Sequence, residues 1–448
     1  MEAEDSRRHS LATLERPLGT SVSGHLNIDG ADALDLANRY GTPLFVFMET
    51  VIRQNYRRFA SSLCSAYPKS RIFYACKANG LLAILKILLE EDCGIDVVSE
   101  GELYLAQRAG FPTQSIVFNG NSKSDSDILL GLSSDLLFNV DSIDELKAIS
   151  TLAVRHRRDA RVCLRVIPDV HSRTISEFAT GIPESKFGLD IRTGEAWRAA
   201  KEALALSRVR LVGLHCHIGS QIESVEPYLL AVESVLTLAD KMKRDLGCEL
   251  VLINMGGGFG IPFTGSEGSP SIEQFATSMG GYFASIADSY GMDDVWLGIE
   301  PGGALVGKAG VVLLTVNSVK SRENGDTWVA VDGGADVLLR ATQGWYSFPI
   351  ISAEDPCGTP QLTANVAGPL CYSGDVLARG VALPAVCRGS RLAVLDAGAY
   401  TLSILNAYNA RLSPAVVVVR DGNVRLVRRR GRPVDLVAQE ETDALNSG

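Results

Sequence analysis

One lysine stands where its type and position could do chemistry. Lys77 follows the apolar run Ile72-Phe73-Tyr74-Ala75-Cys76. A lysine at the end of a buried strand is partly desolvated, which lowers its pKa and makes the amine nucleophilic. That is what forming an imine with an aldehyde-bearing cofactor requires. The bland alternative is a lysine that reaches solvent from a strand end. Further along, Gly256-Gly257-Gly258 with Gly260 would let backbone approach a ligand closely and aim several N–H groups at one phosphate. The run lacks the Lys-Ser/Thr of a P-loop and the spacing of a dinucleotide site, and a flexible loop is the competing reading. Ser220 could add a hydroxyl donor to the same phosphate.

Glu300, within Glu300-Pro301-Gly302, ends an apolar run. A carboxylate there could hold a proton on a pyridine nitrogen and strengthen the ring as an electron sink. A salt-bridged structural glutamate is the alternative. His215 and His217 flank Cys216 and are expected on opposite faces, one of them inward, where an imidazole could stack on a ring. No carboxylate or third histidine stands at ligand spacing to make a metal site with them. Cys371, in the turn-rich segment Gly368–Asp375, is either a proton donor or a buried small hydrophobe.

The elements that must position these residues are legible as an alternation. Eight short apolar, β-branched runs (71–75, 95–98, 116–118, 136–140, 162–166, 211–216, 250–254 and 295–299) are separated by segments of helical period. Such alternation implies βαβ units and a parallel sheet. Eight units in this span fit a (β/α)8 barrel, with an open doubly wound sheet as the competitor. Lys77, His217, Ser220, Gly256 to Gly258 and Glu300 sit just past predicted strand ends, which in a barrel converge on one face. Beyond about Glu300 the texture changes to strands separated by turns. The expected division is therefore an N-terminal segment (1–40) packing with the β domain, a barrel (41–305) and a C-terminal mostly-β domain (306–448).

Composition narrows the partners. The formal net charge is −9, against the basic footprint that nucleic acid needs. No run is long and apolar enough to suggest a membrane span, and the polar start of the chain has no signal-peptide core. The nine cysteines form no CxxC pair and suit reduced thiols. A cytoplasmic location is expected.

Taken in order, the motifs resemble those of the fold-type III pyridoxal-phosphate decarboxylases, most closely the diaminopimelate decarboxylase group and more distantly ornithine decarboxylase. They are GTPLFVF (41–47), YACKANG (74–80), DVVSEGEL (96–103), NGNSKSD (119–125), ESKFG (184–188), HCHIGSQ (215–221), MGGGFG (255–260), EPGG (300–303), GPLCYSGD (368–375) and GAYTLSILNAYN (398–409). The resemblance implies an alanine-racemase-like α/β TIM barrel followed by a β-barrel-like domain. It implies pyridoxal 5′-phosphate held by Lys77 as a Schiff base, with His217 stacked on the ring. Ser220, Gly256, Gly257, Gly258 and Gly302 would hold the cofactor, helped by Tyr408, with Glu300 against the pyridine nitrogen. Cys371 would return a proton after CO2 leaves and would be donated by the neighbouring subunit of a homodimer with shared active sites.

The departures fall at substrate recognition. The family's EPGR reads EPGG here, with Gly303 at the arginine position. Its CESGD reads CYSGD, with Tyr372 for the glutamate. Its RPxxY motif is missing, with Arg340 and Tyr346 as shifted counterparts. Losing one charged partner of a buried polar group costs roughly 2–5 kcal/mol. The sequence expectation is thus a decarboxylase acting on a modified, conjugated or carrier-bound amino acid, as in siderophore or antibiotic biosynthesis, contacted by Arg340, Tyr346, Tyr372 and Tyr408. A carrier protein is then a candidate partner. The alternatives are meso-diaminopimelate decarboxylase making L-lysine and, from another class, an inactive regulatory homologue. A racemase on the same barrel would place an arginine where this chain has Glu300.

Overall fold

The computed structural model describes residues 16–172, 180–260, 270–323 and 325–440. The first fifteen residues of the expected N-terminal segment lie outside the described residues. The chain forms two compact units, Ile52–Val306 and a second made of residues up to Val51 with those from Gly307 onward.

The first unit is a closed parallel barrel. Its strands are β1 (Ser70–Ala75), β2 (Gly94–Val97), β3 (Ile116–Phe118), β4 (Leu137–Val140), β5 (Ala160–Ile167), β6 (Val209–His215), β7 (Leu252–Asn254) and β8 (Trp296–Ile299). Each pairs in parallel with the next, and β8 pairs with β1. That closure excludes the open sheet. Continuous apolar runs form the strands because both faces are covered, one by the barrel interior and one by helices.

Local signals set where the helices begin. Ser99 caps the helix Glu100–Ala109 by accepting from the Glu102 N–H, and Ser124 and Ser271 close capping boxes with Asp127 and Gln274. Such caps satisfy backbone donors that would otherwise be orphaned. Helix Glu100–Ala109 starts within three residues of β2, so the strand end, where side chains can face a ligand, is held short and stiff. Inward helix residues such as Ile84 and Leu88 are fully buried, each contributing about 1.5–3 kcal/mol.

The second unit is built on a mixed sheet. Its strand order is Val376–Leu383, Leu362–Ala367, Thr327–Val331, Gly310–Ser321, Leu44–Met48, Ala415–Arg420 and Asn423–Arg428. Leu44–Met48 corrects the sequence reading, which started the barrel at residue 41. It runs antiparallel to Gly310–Ser321 and parallel to Ala415–Arg420. All five residues are buried, and a run buried on both faces reads alike in either sheet. The strands at 362–367 and 376–383 and the helix Ala335–Thr342 were not anticipated, because their apolar periodicity is broken by glycine and polar residues. Among the described residues no helix is long and apolar enough to cross a membrane.

Candidate active site

Near the carboxyl ends of the apolar strands stand buried polar side chains, and there they meet. Glu300, just past β8, is 4% exposed. One of its oxygens accepts from the Asn254 and Asn119 amides at 2.8 and 3.0 Å, and the other lies 3.2 Å from His215 Nε2. Asn119 also donates to Asp96 at 2.5 Å and accepts from Asn139 at 2.6 Å. Asp96 in turn sits 3.2 Å from Lys77 Nζ. One chain of contacts therefore links Lys77 to Glu300, on neighbouring strands of the closed barrel.

This network sorts the two carboxylates. Burial pushes Glu300 upward, but His215, Lys77 and the Asn119 amide outweigh it and hold the group well below the usual carboxylate range. Burial also raises Asp96; Lys77 opposes that shift and the charge on Glu300 adds to it. Two buried carboxylates sharing one amide do not ionise with equal ease. Glu300 takes the charge.

His217 lies half-buried, and its Nδ1 accepts the Gly257 N–H at 3.1 Å. An accepting Nδ1 leaves the ring proton on Nε2. Burial, with Lys77 and Arg165 nearby, holds His217 far below an ordinary imidazole, so its ring is neutral. His215 and His217 do not face opposite ways. His215 ends β6 against Glu300 and His217, just past the strand, accepts from Gly257, so both belong to this site.

The glycine run is packed, not loose. A Cβ on Gly257 would sit 2.0 Å from the Glu300 carbonyl oxygen, and one on Gly258 2.0 Å from that of Gly219. Gly256 and Gly258 also have φ of 67° and 91°, which favours glycine. Two of the three amides are spent internally: Gly256 donates to Asn254 Oδ1 and Gly257 to His217. The Gly258 N–H has no such internal partner among the described residues. Ser220 lies on the neighbouring loop, half-buried, and Gly302 follows Glu300 in a buried turn.

The remaining sequence candidates belong to the second unit. Cys371 is exposed, and its N–H donates to Asn409 Oδ1 at 2.9 Å. The Tyr372 and Tyr408 rings meet edge to face at 6.1 Å. Asp375 pins this loop by accepting from the Leu370 and Ala335 N–H groups, both at 2.7 Å. Arg340 is buried, its guanidinium 5.0 Å from the Tyr346 ring and 5.2 Å from that of Tyr400. The sequence reading missed Asp96, Asn119, Arg165, His215 and Asn254 as parts of the site. The available signal was one polar residue at the end of each apolar strand, as in Leu252-Ile253-Asn254.

An accessible amine, an ionised buried carboxylate, a neutral imidazole and a free backbone N–H match, group by group, an aldehyde, a ring nitrogen, an aromatic face and a phosphate. These residues fit pyridoxal phosphate. Residues 50–307 match the pyridoxal-binding domain model of the pyridoxal-dependent decarboxylases. The chain is 40% identical to the diaminopimelate decarboxylase of Methanothermobacter thermautotrophicus, covering 94% of this chain and 96% of that one. It is 36% identical to that of Bacillus subtilis, covering 92% and 94%. The crystal structure of the M. jannaschii diaminopimelate decarboxylase in complex with L-lysine has a TM-score of 0.88 at 36% identity, covering 94% of this chain and 97% of that one. The chain belongs to the pyridoxal-dependent decarboxylases. Within them it is of the diaminopimelate decarboxylase type, a pyridoxal-phosphate-dependent carboxy-lyase acting on an amino acid.

Proposed function

We propose that this enzyme decarboxylates meso-diaminopimelate to L-lysine. The observation that carries the reading is the similarity to diaminopimelate decarboxylases, which runs through both units. The L-lysine bound to three of the similar structures supports lysine as the product here too.

The residue roles proposed here rest on the resemblance together with the contacts described above. Pyridoxal phosphate supplies, when bound, an aldehyde that condenses with amines and a ring that takes up the electron pair left by a departing carboxyl group. Lys77 Nζ is the attachment point, steered by Asp96. Glu300, kept ionised, holds a proton on the ring nitrogen. Neutral His217 offers an uncharged face for stacking, which an imidazolium would not. Gly258 N–H and Ser220 hold the phosphate, with Tyr408 assisting. Cys371 Sγ–H returns a proton to the α-carbon. Because Cys371 is exposed on its own unit, a second copy of the chain can receive it, and the enzyme is proposed to work as a homodimer with shared sites.

A second reading rests on Gly303 and Tyr372, where relatives of this type carry arginine and glutamate. A phenol can hydrogen-bond but cannot neutralise an ammonium group. The pocket would then suit an amino acid whose far end is modified, conjugated or carrier-bound, with Arg340 and Tyr346 contacting it. Measuring CO2 and lysine release from meso-diaminopimelate by the holoenzyme separates the two. Release supports the first reading. Bound cofactor with no release from diaminopimelate, but release from another amino acid, supports the second.

A further inference from the structure

The opposite end of the barrel carries a second cluster of charge. Arg71, Arg161 and Arg210 are each the second residue of a strand, β1, β5 and β6. They line a cavity of about 280 Å³ together with Trp296, Phe73 and Val212. This is near the lower end of small-molecule sites, roughly 300–1,000 Å³. The catalytic residues follow the other ends of these strands: Lys77 lies after β1, His217 after β6 and Glu300 after β8, which Trp296 begins.

The arrangement is not one that stability alone explains. Arg161 and Arg210 are direct partners in the β5–β6 register, and like charges placed opposite each other are destabilising. Asp135 offsets only part of this. Its carboxylate lies 3.7 Å from Arg161 Nε, beyond hydrogen-bond reach, and that Nε is buried without a hydrogen-bond partner. The Arg210 guanidinium makes no hydrogen bond or ion pair among the described residues, and the Arg71 guanidinium lies 4.8 Å over the Trp296 ring. In a chain of net charge −9, three guanidinium groups converge on one cavity with little local neutralisation.

We propose that this mouth of the barrel is a second ligand site, which takes a small oxyanion bearing at least two negative charges. Guanidinium forks match carboxylate and phosphate oxygens in pairs, and Trp296 with Phe73 and Val212 offers an apolar wall for the ligand's body. A bound anion would relieve the Arg161–Arg210 repulsion.

The test uses holoenzyme saturated with pyridoxal phosphate, so that the cofactor's own phosphate site is filled. Thermal melts are recorded against citrate, inorganic phosphate and sodium chloride at matched ionic strength. Citrate or phosphate, or both, should raise Tm saturably where chloride does not; the more effective of the two identifies the preferred oxyanion. In the double variant Arg161→Gln with Arg210→Gln the apparent Kd should weaken by roughly tenfold or more. Without anion that variant should be at least as stable as the parent, since the like-charge pair is gone. Fluorescence quenching by citrate, lost in Trp296→Phe, reads the same site even if the double variant fails to fold. Anion responses no larger than that of chloride, or equal in parent and variant, overturn the proposal.

Discussion

At the carboxyl ends of the barrel strands most polar groups are tied to one another. Glu300 contacts three side chains, Asn119 bridges two carboxylates, and the Gly257 amide is used by His217. Around Cys371 the opposite holds. Tyr372 and Tyr408 are 39% and 50% exposed, and among the described residues the Tyr372 hydroxyl makes one long hydrogen bond, 3.4 Å to Thr342. A buried, mutually satisfied network cannot lose one member without stranding another, at about 1–3 kcal/mol for each stranded group. An exposed loop can exchange a glutamate for a tyrosine at little cost. The barrel end is therefore built for one fixed chemistry, and the loop is where specificity can drift.

That contrast can be broken by mutation, with effects that should fall in order. Lys77→Ala should abolish turnover, and borohydride reduction of the parent enzyme should label Lys77; a label on another lysine would overturn the assignment. Glu300→Gln should lower kcat by roughly 10²–10³-fold, the cost typical of a lost electrostatic partner, while Lys77 remains labelled. A loss confined to KM would place Glu300 in binding only. Cys371→Ala should lower kcat within the roughly 10²–10⁴-fold range of a lost general acid. Mixed with Lys77→Ala it should recover part of the activity, because one site of the heterodimer then holds both native residues. No recovery after verified subunit exchange would mean that each site is completed within one chain.

Gly303→Arg, just past Glu300, combined with Tyr372→Glu in the loop, should raise kcat/KM for meso-diaminopimelate by about a hundredfold, if each of the two restored contacts contributes about 1.4 kcal/mol. An unchanged value would show that these positions do not read the substrate. The smallest expected effect is on stability. Burial raises Glu102 from 4.5 to about 7, so the folded state holds a proton that the unfolded chain releases. The resulting stabilisation is complete below about 4.5 and is lost as pH rises through 7. Glu102→Gln should flatten the change in urea midpoint between pH 5 and pH 8; an unchanged slope would contradict the shift.

The same contrast explains what could be read from sequence. Eight buried runs and the residues just past them were legible because strand ends in a barrel converge, so Lys77, His217 and Glu300 could be placed together from position alone. Asp96, Asn119 and Asn254 were not, because a single polar residue inside an apolar run looks like an interruption until its partners on other strands are known. The same blindness hid the assignment of Leu44–Met48 to the mixed sheet. The run is continuously apolar, but its neighbours lie more than 260 residues away in the chain. The register of Arg161 against Arg210 likewise exists only once β5 and β6 are paired.

The most direct test of the account is product analysis with meso-diaminopimelate. Holoenzyme, with its cofactor verified by absorbance, is incubated with meso-diaminopimelate, and CO2 and lysine are quantified over time. Equimolar CO2 and L-lysine are expected, both lost in Lys77→Ala. Cofactor fully bound with no CO2 from diaminopimelate, while another amino acid is decarboxylated, would contradict it.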